Sequence, residues 1–237
     1  KFLIATGATT NIPNIEGLNE IDYLTNESLF DLEIQPKSLI VLGGGYIAVE
    51  IAQAYQRLGT KVTLLQRSKH VLSHLTPDVS AELFKQFRNE GMTVHTGLDF
   101  KRVSEESGSI KVVTIQNGEE EIFEAAKLVV ATGTNPNTDK LGLENIGLEL
   151  TKSGHIAVNE KMETNLPTIF AAGDCVNTPA FVYTAAYEGK TAVESAFTSV
   201  NKQDKVLPLG EDLGGAYSSL PWVVFTDPQI AGAGLDE

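Results

Sequence analysis

Apolar positions along this chain fall into short unbroken runs and runs with helical spacing, and their alternation predicts the fold. Ser38-Leu-Ile-Val-Leu42 is an apolar run that stops at three glycines, the pattern of a buried parallel strand. From Tyr46, the apolar residues Ile47, Ile51, Ala54, Tyr55 and Leu58 keep the spacing of one helical face. Gly59 stands where a C-terminal cap belongs, so a helix burying that face is expected. Lys61-Val-Thr-Leu-Leu-Gln66 supplies the next strand and completes a βαβ unit.

Thr76-Pro77 places an N-cap residue before a proline at the first helical position, and Val79, Leu83, Phe84 and Phe87 repeat on one face until Gly91. A second crossover helix follows. Ile110 to Gln116 and Glu121 to Glu124 are β-prone on either side of Asn117-Gly118, a strong hairpin signal. Leu128-Val-Val-Ala-Thr-Gly133 reads as another buried strand. The layout is β-α-β-α-β, then a β-meander, then β, which is a doubly wound α/β protein. Residues 8–37 read as a connection between domains with a short helical stretch. Beyond 134, loops lead to a turn at Gly173-Asp174 and a helix over about 182–197, and 199–221 is polar and aperiodic, as a linker would be.

Composition narrows the partners. With 42% hydrophobic and 21% charged residues the chain is an ordinary globular one, and its net charge of -13 argues against nucleic acid or an anionic membrane surface. No apolar run is long enough to span a bilayer. A single cysteine, Cys175, allows neither an internal disulfide nor an internal redox dithiol, which fits a cytoplasmic setting. Cys175 is expected to be a small buried packing residue. Lys1-Phe-Leu-Ile reads as a strand entered partway, and Trp222-Val-Val-Phe225 as a strand begun shortly before the end, so the chain is expected to be an internal piece of a longer protein.

The chemistry starts at Gly43-x-Gly45-x-x-Ala48. In a strand-turn-helix context each position has a mechanical reason: Gly43 permits the tight turn, Gly45 lets backbone approach a pyrophosphate, and Ala48 lets helix pack closely on strand. The second strand ends in Gln66-Arg67-Ser68-Lys69, without the carboxylate that would hold a ribose 2′-hydroxyl. Arg67 offers a guanidinium fork and Lys69 a point charge, so NADP is favoured, with NAD as the alternative. His70, His74, His95 and His155 read as surface or loop histidines outside any metal site, and Glu119-Glu120-Glu121 as a solvated hairpin end.

Ala5-Thr6-Gly7 recurs as Ala131-Thr132-Gly133, the second copy leading into Asn135-Pro136-Asn137, and Thr164 to Asp174 closes with Phe-Ala-Ala-Gly-Asp. Together with the glycine turn, these strings resemble the class I pyridine nucleotide-disulfide oxidoreductases. The resemblance implies a nicotinamide domain (11–137) inserted into a partial FAD-binding domain of the same three-layer type (1–10 and 138–200), then a linker (201–221) and the start of a dimerisation domain (222–237). It implies FAD as a second cofactor, with Asp174 bonded to the flavin ribityl chain and the helix starting at Val182 facing the flavin pyrimidine edge. Tyr46 matches the tyrosine that covers the flavin and moves aside for nicotinamide, and Glu50 the glutamate that faces the flavin; Gly133, closing the second Ala-Thr-Gly string, is a further candidate for cofactor binding. Alternatives at these positions are helix-start packing for Tyr46, a surface charge for Glu50 and an Asx-type turn for Asp174.

Within the family, Asp174 to Gly189 and Pro221 to Ala231 resemble the branch that reduces Hg(II), with disulfide or lipoamide reductases as the alternative. That implies a homodimer with a small-molecule or metal-ion substrate, no membrane and no nucleic acid. The redox cysteines of such an enzyme lie outside this chain, which alone would be a non-catalytic dinucleotide-binding module.

Overall fold

The computed structural model describes residues 1–197, 217 and 220–234. The sequence-expected linker lies mostly outside these residues. Along the described chain run β1 (Phe2–Ile4), β2 (Ala8–Thr10), β3 (Ser38–Leu42), α1 (Tyr46–Arg57), β4 (Lys61–Gln66), α2 (Pro77–Asn89) and β5 (Thr93–Thr96). Then come β6 (Asp99–Glu106), β7 (Ser109–Gln116), β8 (Glu119–Ala125), β9 (Lys127–Val130), β10 (Thr134–Pro136), β11 (Ile169–Ala171), α3 (Val182–Phe197), β12 (Trp222–Val224) and β13 (Ile230–Gly232). The chain divides into two compact units: Thr10–Gly133 with Val223–Ala231, and Lys1–Thr9 with Thr134–Trp222 and Gly232–Glu237.

The larger unit is built on a four-stranded sheet in the order β5-β4-β3-β9, parallel at every pairing. β3 is central because it is apolar on both faces: Leu39, Ile40, Val41 and Leu42 are all fully buried, at about 1.5–3 kcal/mol for each side chain so removed from water. Alternation along the strands sends Ile40, Leu42, Leu65, Leu128 and Val130 to one face. There they pack on Val103, Ile110, Val112 and Phe123 of the antiparallel meander β6-β7-β8. The opposite face carries α1 and α2. The result is three layers, with the meander taking the place of a crossover helix between β5 and β9.

The local signals explain the elements. Asn117 and Gly118 both have positive φ (52° and 86°), as a two-residue hairpin turn between β7 and β8 requires. α1 ends at Arg57 with Gly59 left-handed just beyond. Its buried face differs from the expected one. Ala48, Val49, Ile51, Ala52 and Gln53 are buried, whereas Ile47 and Leu58 are 38% and 67% exposed. Small alanines let the helix lie close to β3 and β4, and that contact outweighs the larger apolar side chains on the neighbouring face. β6 gave no sequence signal, because a bulge between Phe100 and Arg102 breaks its alternation and most of its residues are polar.

The smaller unit pairs β1 with β11 in parallel, in register from Phe2↔Ile169 to Ile4↔Ala171. Its core gathers Leu143, Leu148, Ile156, Val158, Met162, Phe170, Cys175 and Ala192. Cys175 is fully buried, and its thiol donates to the Ala172 carbonyl at 3.3 Å. Among the described residues no helix is long and apolar enough to cross a membrane.

Candidate functional site

Strand order reverses direction at β3, since β4 and β5 lie to one side and β9 to the other. At such a switch point the loops leaving the carboxyl ends of neighbouring strands splay apart and leave a crevice. A cleft of about 480 Å³ opens there. It is lined by Gly43, Gly44 and Gly45 after β3, by Gln66, Arg67 and Ser68 after β4, and by Ala131, Thr132 and Gly133 after β9.

The three glycines have distinct duties. Gly43 has φ +121°, and a Cβ there would collide with the Ala131 carbonyl oxygen. Its N–H donates to Leu65 O at 2.9 Å. Gly44 is pressed against Gln66, whose Cδ would stand 2.9 Å from an added Cβ. Gly45 meets nothing within 4 Å. The first two glycines are required by the protein's own packing, and the third faces open space.

Gly45 is also the N-cap of α1, and it supplies no side-chain capping bond. The first turn contains no acidic residue. Amides of a first helical turn have no partner within the helix, and the dipole there favours negative charge. A phosphate-sized anion fits this cradle both in space and in charge.

Arg67 and Lys69 sit on the exposed loop after β4, and neither side chain makes an ion pair among the described residues. Arg67 lines the cleft; Lys69 does not. The loop is tied to the glycine turn by the Leu72 N–H, which donates to Gly44 O at 2.6 Å. Leu72 is left-handed (φ 48°), and its buried side chain offsets that strain. Neither Gln66 nor Phe100 was expected from the sequence to take a structural part in the cleft. Gln66 turns its Oε1 back to accept from the Arg67 N–H at 3.0 Å, leaving an uncharged strand end, and Phe100 reaches the cleft from the unpredicted strand β6. Asp99, also on the rim, is paired with Lys101 at 2.6 Å.

Tyr46 opens α1 and stands edge-to-face with His74, ring centroids 4.5 Å apart. Partial burial lowers the pKa of His74 below its ordinary value. Glu50, one turn further along α1, accepts from the Phe225 N–H at 2.7 Å. Gln53 and Asp227 exchange two bonds of 2.8 and 2.7 Å, and Arg57 pairs with Asp227 at 2.8 Å, so α1 holds the 225–227 segment along one face. Contrary to the surface reading, His95 lies half-buried in β5, edge-on to Phe123 at 4.6 Å and 3.7 Å from the Glu121 carboxylate. Among the described residues no group of His, Cys, Asp and Glu could hold a metal ion.

The two Ala-Thr-Gly strings are clipped in the same way. Thr6 Oγ1 donates to Asn137 O at 2.8 Å and Asn137 returns a bond to Thr6 O at 2.9 Å. In the larger unit Thr132 Oγ1 donates to Asn11 O at 2.6 Å, and the Asn11 N–H to Gly133 O at 2.8 Å. In the smaller unit Gly173 is left-handed (φ 77°), and the half-buried Asp174 that follows makes no hydrogen bond among the described residues. An acceptor without a hydrogen-bond donor among these residues fits a hydroxyl-bearing ligand. Val182, first in α3, is 88% exposed.

Residues 1–189 match the family model described as pyridine nucleotide-disulphide oxidoreductase. Over the whole chain the sequence is 41% identical to a mercuric reductase of Lysinibacillus sphaericus and 38% to one of Staphylococcus aureus, covering 41% of each. It is 37% identical to a dihydrolipoyl dehydrogenase of Geobacillus stearothermophilus, over 99% of the chain and 47% of that protein. The chain therefore spans less than half the length of these relatives. Among solved structures, LpdA of Mycobacterium tuberculosis aligns with a TM-score of 0.81 at 28% identity, over 98% of this chain and 48% of that one. The flavoprotein disulfide reductase RclA of Escherichia coli shares the fold, with a TM-score of 0.84 at 24% identity, over 99% of this chain and 51% of its own. Sheet order, glycine cradle and family match agree: the chain belongs to the pyridine nucleotide-disulphide oxidoreductases, whose members are enzymes using FAD and NAD(P)H.

Proposed function

We propose that this chain is the pyridine-nucleotide part of an NADPH-dependent flavoprotein reductase, acting in the intact protein as a homodimer that reduces Hg(II). The observation that carries the cofactor reading is the uncapped start of α1 behind Gly45, open and free of acidic residues, beside the unpaired Arg67. In this reading the α1 amides and Gly45 hold the pyrophosphate, Ala48 lets the helix close on the sheet, and Arg67 with Lys69 takes the 2′-phosphate. Gly133 leaves room at the end of β9. By the family resemblance, Tyr46 would cover the flavin and give way to nicotinamide, and Glu50 would face the flavin. Asp174 and the α3 terminus at Val182 hold the ribityl and pyrimidine parts. When bound, the flavin would supply two-electron chemistry between nicotinamide and a dithiol.

Support for Hg(II) is the identity to mercuric reductases across the whole chain, together with the Asp174 to Gly189 string. A second reading, a dihydrolipoyl dehydrogenase, is favoured by the 37% identical relative. Full-length protein decides between them: NADPH oxidation should depend on added Hg(II), and oxidation of dihydrolipoamide with no Hg(II) response would refute the first reading. The isolated 237-residue chain should bind dinucleotide without turnover, and its preparation should lack the yellow flavin band.

A further inference from the structure

A buried carboxyl group links helix α3 to the Gly173–Asp174 turn. Glu188 is fully buried. Its Oε2 accepts from the Gly173 N–H at 2.6 Å, and its Oε1 accepts from the Tyr217 hydroxyl at 2.7 Å. Burial, reinforced by the neighbouring Glu188, raises the Tyr217 pKa, which keeps the phenol a donor. No cationic side chain bonds to Glu188 among the described residues. Gly173 in turn approaches α3 closely enough that a Cβ would stand 3.5 Å from that of Ala185.

Removing a carboxyl group from water is unfavourable unless each oxygen is satisfied, and here each has a short donor. The donors come from different places: the turn before Asp174, and the residue Tyr217 far along the chain. The acceptor sits on the helix whose first residue is Val182. The groups assigned above to the flavin therefore share one internal brace.

We propose that Glu188 is a positioning residue for the flavin, fixing the Asp174 turn against α3 so that the aspartate and the helix N-terminus engage one ligand together. This rests on the flavin reading of Asp174 and Val182. In that role the geometry of the two oxygens matters more than the charge. A glutamine can keep it, since its carbonyl still accepts from Gly173 and its amide donates to the Tyr217 oxygen.

The test uses the full-length protein, measuring FAD dissociation by the fluorescence of released flavin and, separately, the melting temperature of the apoprotein. Glu188→Ala should weaken FAD by about 10-fold or more, and Glu188→Gln by no more than about 3-fold. Tyr217→Phe, which leaves one oxygen without its donor, should fall between them. Wild-type FAD affinity in Glu188→Ala, even with a lowered apoprotein melting temperature, overturns the proposal by showing a merely structural group. Glutamine as damaging as alanine overturns it too, because charge would then be the cause. If the alanine variant does not fold, Glu188→Gln and Tyr217→Phe decide, and wild-type FAD affinity in Tyr217→Phe rejects the brace. Asp174→Ala separates the two levels: FAD binding indifferent to Asp174 sinks the flavin reading itself, whereas loss of FAD in Asp174→Ala with none in Glu188→Ala sinks only the brace.

Discussion

Helices α1 and α2 leave the same edge of one sheet, after the adjacent strands β3 and β4, and begin in opposite ways. α2 carries its own negative charge in its first turn. Thr76 precedes it without a side-chain capping bond, Pro77 needs no amide partner, and Asp78 sets a carboxylate in the first turn, drawing on the Thr76 hydroxyl and the Val79 N–H. These bonds hold the Asp78 carboxyl below its ordinary pKa. α1 has a glycine at the cap, no acidic residue in the first turn, and open space in front of Gly45. A helix start with no negative charge of its own, at a switch point, suits an anionic ligand.

The comparison can be broken most severely at Gly43. Gly43→Ala should cost about 3 kcal/mol or more of folding free energy, because a left-handed backbone and the Ala131 carbonyl both reject a Cβ. Urea unfolding measures it, and an unchanged midpoint would show that the turn can relax. Gly45→Ala should instead leave stability within about 0.5 kcal/mol, since its backbone suits any residue and its surroundings are open. Calorimetry should nevertheless show dinucleotide binding weakened by about 10-fold, the methyl group standing where the pyrophosphate approaches. Equal affinity would move the anion site elsewhere.

Arg67→Ala should lower the ratio of NADPH to NADH affinity by about 10-fold while leaving NADH binding nearly unchanged. Titration of both cofactors reads the ratio, and a constant value would reject the assignment. The smallest effect belongs to α2. Asp78→Asn should lower the melting temperature at neutral pH and leave dinucleotide affinity alone. Because the folded pKa of Asp78 lies below its ordinary 3.8, its contribution is present above about pH 4 and fades as pH falls through the lower folded value. The two melting curves should therefore converge in acid.

Much of the larger unit was legible in the letters because its signals are local: the glycine turn, Gly59, Thr76-Pro77 and Asn117-Gly118 act on their immediate neighbours. What failed depends on distant packing. The buried side of α1 is chosen by how near Ala48 and Ala52 must come to the sheet, whereas periodicity registers only that Ile47 and Leu58 are apolar. Phe100 joins the cleft through a bulged strand that no alternation announces. Gln66 was read only as a missing carboxylate, though its packing on Gly44 shapes the turn. Glu188 sits unremarked inside the Asp174 to Gly189 string, since two partners brought together by folding define its role.

The central strand also carries a consequence for the order of assembly. β3 pairs with β4 soon after it in sequence, but its other flank waits for β9, and the residues between them include the whole meander. Such distant pairing is slow, because the intervening chain must be gathered first. During synthesis the glycine turn emerges long before the Ala131–Gly133 wall that completes its cleft. A nascent chain halted before residue 127 would leave one edge of β3 unpaired and the cleft without its third wall, so a ligand of the complete cleft can stabilise this unit only after β9 has left the ribosome.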